Sequence, residues 1–233
     1  MYKDDGTGID GPASRREFIK RTAVAGTVVW AAPAIFTVSS ASAASPTPIP
    51  CPNCDSSAYG LATFGTVAGL PLNLGPIGAT SDAENCLLNL NAGVITSSDV
   101  CGRTADTDKH CRASASVSGL GIVVPGVNVQ AGVTRSRATW ACDCSAREGI
   151  ADILGLTVNG NPVNIGTAPN TTLVVINTAL IDVIVTANRQ SCVGGVFSVD
   201  ALVVQIILTP LIGLGTNLTV VVAHSQISNG CPC

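Results

Sequence analysis

The chain has 233 residues, a formal charge of −3, 12% charged and 3% aromatic residues, and ten cysteines. Sparse Lys and Arg argue against a surface built for nucleic acid, whose phosphates need clustered cations. Few aromatics argue against the stacking platforms that single-stranded nucleic acid or sugars commonly use.

The chain opens with an address. Ser14, Arg15 and Arg16 precede Phe18, Ile19 and Lys20, and a mild apolar stretch, "RTAVAGTVVWAAPAIFTV", follows. Gly, Thr and Pro dilute that stretch, which falls short of the roughly 20 apolar residues of a membrane span. The small residues Ala41 and Ala43 in "SSASAAS" suit a signal peptidase. In this order the parts resemble a twin-arginine export signal over residues 1–43, read by the export machinery as an address rather than an anchor. "GTGIDG", Gly6 to Gly11, has dinucleotide-loop spacing but no strand before it and no ordinary helix after it, so it carries no cofactor expectation. After residue 43 there remain 7 basic and 11 acidic side chains, and the aromatics Tyr59, Phe64, Trp140 and Phe197. Val, Ile, Leu, Ala, Gly, Thr, Ser and Asn dominate, a mixture that favours strands and tight turns.

Residues 44–57 read as a Pro/Ser-rich mobile lead-in holding "CPNC". All ten cysteines follow the cleavage point: Cys51, Cys54, Cys86, Cys101, Cys111, Cys142, Cys144, Cys192, Cys231 and Cys233. An even number in an exported chain predicts a disulfide framework, with connectivity left open. Cys142 and Cys144 flank Asp143, so they are expected on one strand face, each bonded elsewhere. "CPNC" and the closing "NGCPC" invite bridges between the two tags, stapling first strand to last. The same four sulfurs could instead form a thiolate zinc or iron site. A redox role for Cys51 and Cys54 lacks the helix start or cation that would lower a thiol pKa.

Alternation of period two marks strands from "LLNLNAG" onward. In "CRASASVSG", Ala113, Ala115 and Val117 face one way and Arg112, Ser114, Ser116 and Ser118 the other. "DTDKHC" sets Asp106, Asp108, His110 and Cys111 close together but lacks the Gly and distal Glu of a calcium loop, and reads as a solvated loop beside a disulfide. "SAREGIADILG" is the one candidate for a short helix. Asn159-Gly160 predicts a tight hairpin. "TLVVI", "ALIDVIVTA", "VFSVDALVVQIIL" and "NLTVVVAH" read as inner strands buried on both faces. His224 is expected on the same strand face as Leu218, Val220 and Val222, as a hydrogen-bonded structural residue. No G-x-S-x-G or H-E-x-x-H motif is present. Asn170 and Asn217 fit glycosylation acceptors, a pattern without consequence behind a bacterial export signal.

These features predict an all-β fold, an antiparallel β-sandwich or barrel of about ten to twelve strands, as one domain over 58–228 with a Cys-containing tail at 229–233. The motifs "ASASVSGLGIVVPGVNVQAGVTRSRATWAC", "LTVNGNPV", "NTTLVVI", "SVDALVVQIIL" and "VVVAHSQ", in that order, resemble the choice-of-anchor P family of bacterial secreted and surface proteins. That resemblance implies an exported domain with variable attachment and no enzymatic residue set. The visible cysteines and the lack of an evident sorting tail depart from it and leave surface attachment open. The expectation is a non-enzymatic, disulfide-stapled domain, secreted or on the cell surface, with an envelope, adhesion or matrix role. It carries no cofactor, no catalytic or metal residues, no nucleic acid partner and no stable membrane span, and self-association through strand edges is its further expected contact. The alternative is a secreted metal-binding protein or enzyme exported in folded form.

Overall fold

Alternating polar and apolar side chains, with Gly and Pro between the runs, make strands throughout the described residues of the computed structural model, 54–81, 83–166, 168–209 and 215–233. The export motif, the cleavage residues Ala41 and Ala43, and Cys51 lie outside them. In chain order the strands are β1 (Asp55–Val67), β2 (Leu70–Pro71), β3 (Glu84–Asn91), β4 (Ile95–Thr104), β5 (His110–Val124), β6 (Val127–Ala141) and β7 (Arg147–Leu154). After them come β8 (Thr157–Val158), β9 (Asn161–Pro162), β10 (Thr171–Asn177), β11 (Ile181–Val193), β12 (Val196–Leu208) and β13 (Thr216–Ser228). No helix occurs among the described residues, so none is long and apolar enough to cross a membrane.

The strands form two antiparallel sheets that pack face to face without closing into a barrel. One runs β10-β11-β12-β13-β1-β2, the other β3-β4-β5-β6-β8-β9, with β7 also on β6. The first strand pairs with the last along Asp55–Thr66 and Asn217–Ser228, so the two ends of the fold meet through a backbone ladder. β1 begins at Asp55, three residues ahead of the expected domain start at Ala58.

"SAREGIADILG" is a strand, not a helix: Arg147 to Trp140 and Leu154 to Val133 bound its ladder on β6. A single helical turn or two is marginal on its own, and Gly149 in its middle weakens it further, so pairing with β6 prevails. The run "TLVVI" is also corrected. It forms β10, the sheet's edge, where Leu173 and Val174 are 40% and 52% exposed. Asn159 and Gly160 do make the hairpin turn between β8 and β9, both at positive φ.

The interior consists of two clusters along the strand direction. One is aliphatic, with Leu61, Ile95, Val117, Ile122, Leu202, Ile206, Leu218 and Val222. The other is small-residue, with Ala58, Ala113, Ala115, Ala138 and Ala201 around Trp140 and Phe197, whose rings meet edge to face at 6.1 Å. Strands cross from one cluster to the other by a one-residue change of phase. In β13, Leu218, Val220 and Val222 point inward, then Ala223, Ser225 and Ile227 do; Ala223 has φ 52°. β5 changes from Val117 to Leu120 across Gly119 at φ 61°, and β12 from Ala201 to Leu202. A left-handed or bulged residue places two neighbours on one face and bends the strand. It also moves His224 to the outer face, away from Leu218, Val220 and Val222, which corrects the expected placement.

Four disulfides join Cys54 to Cys111, Cys86 to Cys101, Cys144 to Cys231 and Cys192 to Cys233. Cys142 is also disulfide-bonded, to a partner outside the described residues. Cys142, Asp143 and Cys144 lie in the turn after β6 rather than on a strand face, with Cys144 at φ 62°. Asp143 accepts hydrogen bonds from Ser145, which hold its carboxyl below the usual range.

Candidate functional site

β5 presents Arg112, Ser114, Ser116 and Ser118 outward, as its alternation requires, and Ser114 and Ser116 of this row are the floor of a groove on the outer face of its sheet. In register, Ser114 lies between Arg103 of β4 and Arg137 of β6, and Ser116 between Cys101 and Arg135. Two arginines thus form one wall. Arg103 and the Cys86–Cys101 disulfide form the other. The groove encloses ≈ 410 Å³. Carboxylates of the next strands line it as well: Glu84 opposite Arg103, and Asp152 opposite Arg135. They sit on β3 and β7, four strand spacings or roughly 19 Å apart, against the roughly 5–9.5 Å between the two carboxyl groups of most glycoside hydrolases.

The guanidinium groups of this groove have no ion pair or hydrogen-bond acceptor among the described residues. Other arginines do. Arg147 donates to the Cys233 carbonyl at 3.2 Å and lies 5.9 Å from the Phe197 ring centroid. Arg189 holds Asp200 through two nitrogens, at 2.6 and 2.7 Å.

On the outer face of the other sheet a second polar group crosses four strands in register: Tyr59, His224, Asp200 and Arg189. His224 stacks on Tyr59 with centroids 4.5 Å apart, and its Nδ1 lies 2.5 Å from Asp200. Asp200 is 3% exposed. Burial alone would raise its pKa, but the hydrogen bond and charge of His224, then the charge and hydrogen bond of Arg189, outweigh burial and lower it. Burial pushes the Tyr59 hydroxyl up to about 12, helped by the Asp200 charge and opposed by Arg189. The other His224 nitrogen, Nε2, faces Gln226 Oε1 at 3.4 Å, not a hydroxyl nucleophile. The nearby Ser225 points inward and shares a hydrogen bond with Ser136 at 2.5 Å. An aspartate orienting a histidine is half of a nucleophilic arrangement; here the imidazole's far side meets an amide.

The other sequence-derived candidates separate. Asp106 accepts from Ser56 Oγ and the Arg112 backbone N–H, at 2.7 and 2.9 Å, and His110 is exposed, so "DTDKHC" is a loop closed by its own hydrogen bonds beside the Cys54–Cys111 bridge. Cys54, Cys231 and Cys233 each bond to a different, distant cysteine. They do not bridge between the two tags, and they do not gather as thiolates for zinc or iron. Cys54 is likewise unavailable as a redox dithiol with Cys51. Glu84, Cys86 and Cys101 lie within ligand distance of one another, but both sulfurs are consumed by their bridge. Arg103, Arg135 and Arg137 escaped sequence reasoning because they lie on two strands far apart in the chain; alternation in "TRSRATW" already faced two of them outward. No protein-family model, curated protein or solved structure matches the chain.

Proposed function

We propose that this protein is a non-enzymatic, disulfide-stapled β-domain that works outside the cytoplasm, in an envelope, adhesion or matrix role. The carrying observation is that all nine described cysteines are oxidised, in bridges that tie strand ends, a surface turn and the C-terminal tail together. Such bridges persist in oxidising compartments. The reading keeps the twin-arginine route and the likeness to choice-of-anchor P proteins as its account of how the chain leaves the cell.

A second reading, an enzyme or metal protein exported folded, draws support only from the Asp200–His224 pair. Its Nε2 meets Gln226 rather than a hydroxyl, so the non-enzymatic reading is the better supported. The test is fractionation of bacteria expressing the tagged full chain and its Arg15→Lys/Arg16→Lys variant. The parent chain is expected outside the cytoplasm, blocked to thiol-alkylating reagents, with the variant retained inside. Parent chain found in the cytoplasm with alkylatable thiols would overturn the reading.

A further inference from the structure

We propose that the groove along β5 binds an acidic glycan: its arginines hold carboxylate or phosphate substituents, and its serines meet the neighbouring sugar hydroxyls. The charge distribution carries this. Only 7 Lys and Arg follow residue 43, against 11 acids, yet Arg103, Arg135 and Arg137 line one groove. Glu84 and Asp152 line the groove too, and Asp99 and Glu148 share its face, but the ion pairs among the described residues are those of Asp200 with Arg189 and His224. The three guanidinium groups of the groove make no ion pair or hydrogen bond among the described residues, and an anionic ligand supplies the acceptors they lack. Guanidinium forks match the geometry of carboxylate and phosphate oxygens.

Dimensions select the form of the ligand. Arg103 and Arg137 lie one strand to either side of Ser114, so the walls are about 9.6 Å apart at the backbone. An extended single chain fits between them; a duplex does not. The outward row of β5 from Arg112 to Ser118, of which Ser114 and Ser116 floor the groove, runs about 20 Å along the strand, with a side chain roughly every 6.8 Å. A chain lying along β5 over Ser114 and Ser116 passes Arg137, Arg103 and Arg135, with Glu84 and Asp152 at the two sides of the groove. The lining contains no aromatic residue, so nucleic acid bases have no platform to stack on. Ser114 and Ser116 offer hydroxyls that both donate and accept, as sugar hydroxyls require.

The chemistry stands on the groove alone; that the glycan belongs to an envelope or matrix rests on the extracellular reading. The test is a binding titration of the purified, oxidised protein, which is independent of where the cell puts it. Polygalacturonate and polyglycerol phosphate are the two acidic probes, and they separate carboxylate from phosphate recognition. Dextran, oligo(dT) and polyglutamate are comparators. One or both acidic polymers are expected to bind, more weakly as salt rises. Arg135→Ser/Arg137→Ser and the charge-neutral Ser116→Trp should each lower affinity at least tenfold while keeping the thermal unfolding midpoint; Lys109→Ser, an exposed cation outside the groove, should not. Failure to bind either acidic polymer overturns the proposal. So does equal binding of dextran, tighter binding of oligo(dT) or polyglutamate, or an equal loss in Lys109→Ser.

Discussion

Asp200 and its neighbours set the acid response of the molecule. Its folded pKa is depressed, so its contribution is present above the unfolded value, near 4, and is lost as pH falls through the folded one. Urea unfolding of the parent protein should weaken below about pH 4, and Asp200→Asn should flatten that slope. At neutral pH the same substitution, which leaves Arg189 and His224 facing an amide, is expected to cost about 2 kcal/mol. Tyr59 offers a direct optical reading. After residue 43 it is the sole tyrosine, so tyrosinate absorbance of the processed chain should rise with a midpoint near 12. His224→Ala, which removes the stacked ring, should move that midpoint down toward 10. That His224 is hydrogen-bonded was legible, but its face was not. The apolar run before it carries no mark of the left-handed turn at Ala223.

That turn belongs to the scale of the element. An alanine in the left-handed region costs about 1–2 kcal/mol, and a β-branched residue there costs more. Ala223→Val is therefore expected to lose more than 2 kcal/mol in denaturant unfolding. Ala223→Gly should stay within about 1 kcal/mol, since relieved strain offsets the lost buried methyl. A second pressure point is Gly102 on β4, where an added Cβ would lie 2.3 Å from the Gly78 carbonyl oxygen and 2.7 Å from that of Ala58. The sheets meet there backbone to backbone. Gly102→Ala should cost roughly 1–3 kcal/mol, read by the shift of the urea midpoint. The misread helix teaches the complementary lesson: "SAREGIADILG" has mixed local preference, and only β6 alongside it decides for a strand.

Across the whole molecule, bridges of different span should differ in worth. The Cys144–Cys231 bridge closes a separation of 87 residues and Cys86–Cys101 one of 15. In the chain-entropy account the longer closure is worth about 1.5 kcal/mol more. Cys144→Ser/Cys231→Ser should thus unfold at lower denaturant than Cys86→Ser/Cys101→Ser, the comparison being made on oxidised, purified proteins. The opposite order would show that local strand pairing, not loop closure, governs their contribution. The ends of the fold are held twice. The β1–β13 ladder joins first strand to last, while the tail cysteines reach Cys144 and Cys192. Composition predicted a bridged framework; it did not predict that backbone hydrogen bonds, rather than bridges between the two cysteine tags, join the ends.

The sequence by itself determined the all-β class, the antiparallel pairing signalled by alternation and by Asn159-Gly160, and the outward row Arg112, Ser114, Ser116 and Ser118. These follow from periodicity and backbone preference within a few residues, which local physics sets. Tertiary structure alone decided which cysteines bond, which apolar run is the edge β10, where the phase changes in β13 and β12, and that Arg103 joins Arg135 and Arg137 across Ser114. Those outcomes depend on strand order and register between segments far apart in the chain, where burial of two distinct core clusters, rather than local preference, selects the arrangement.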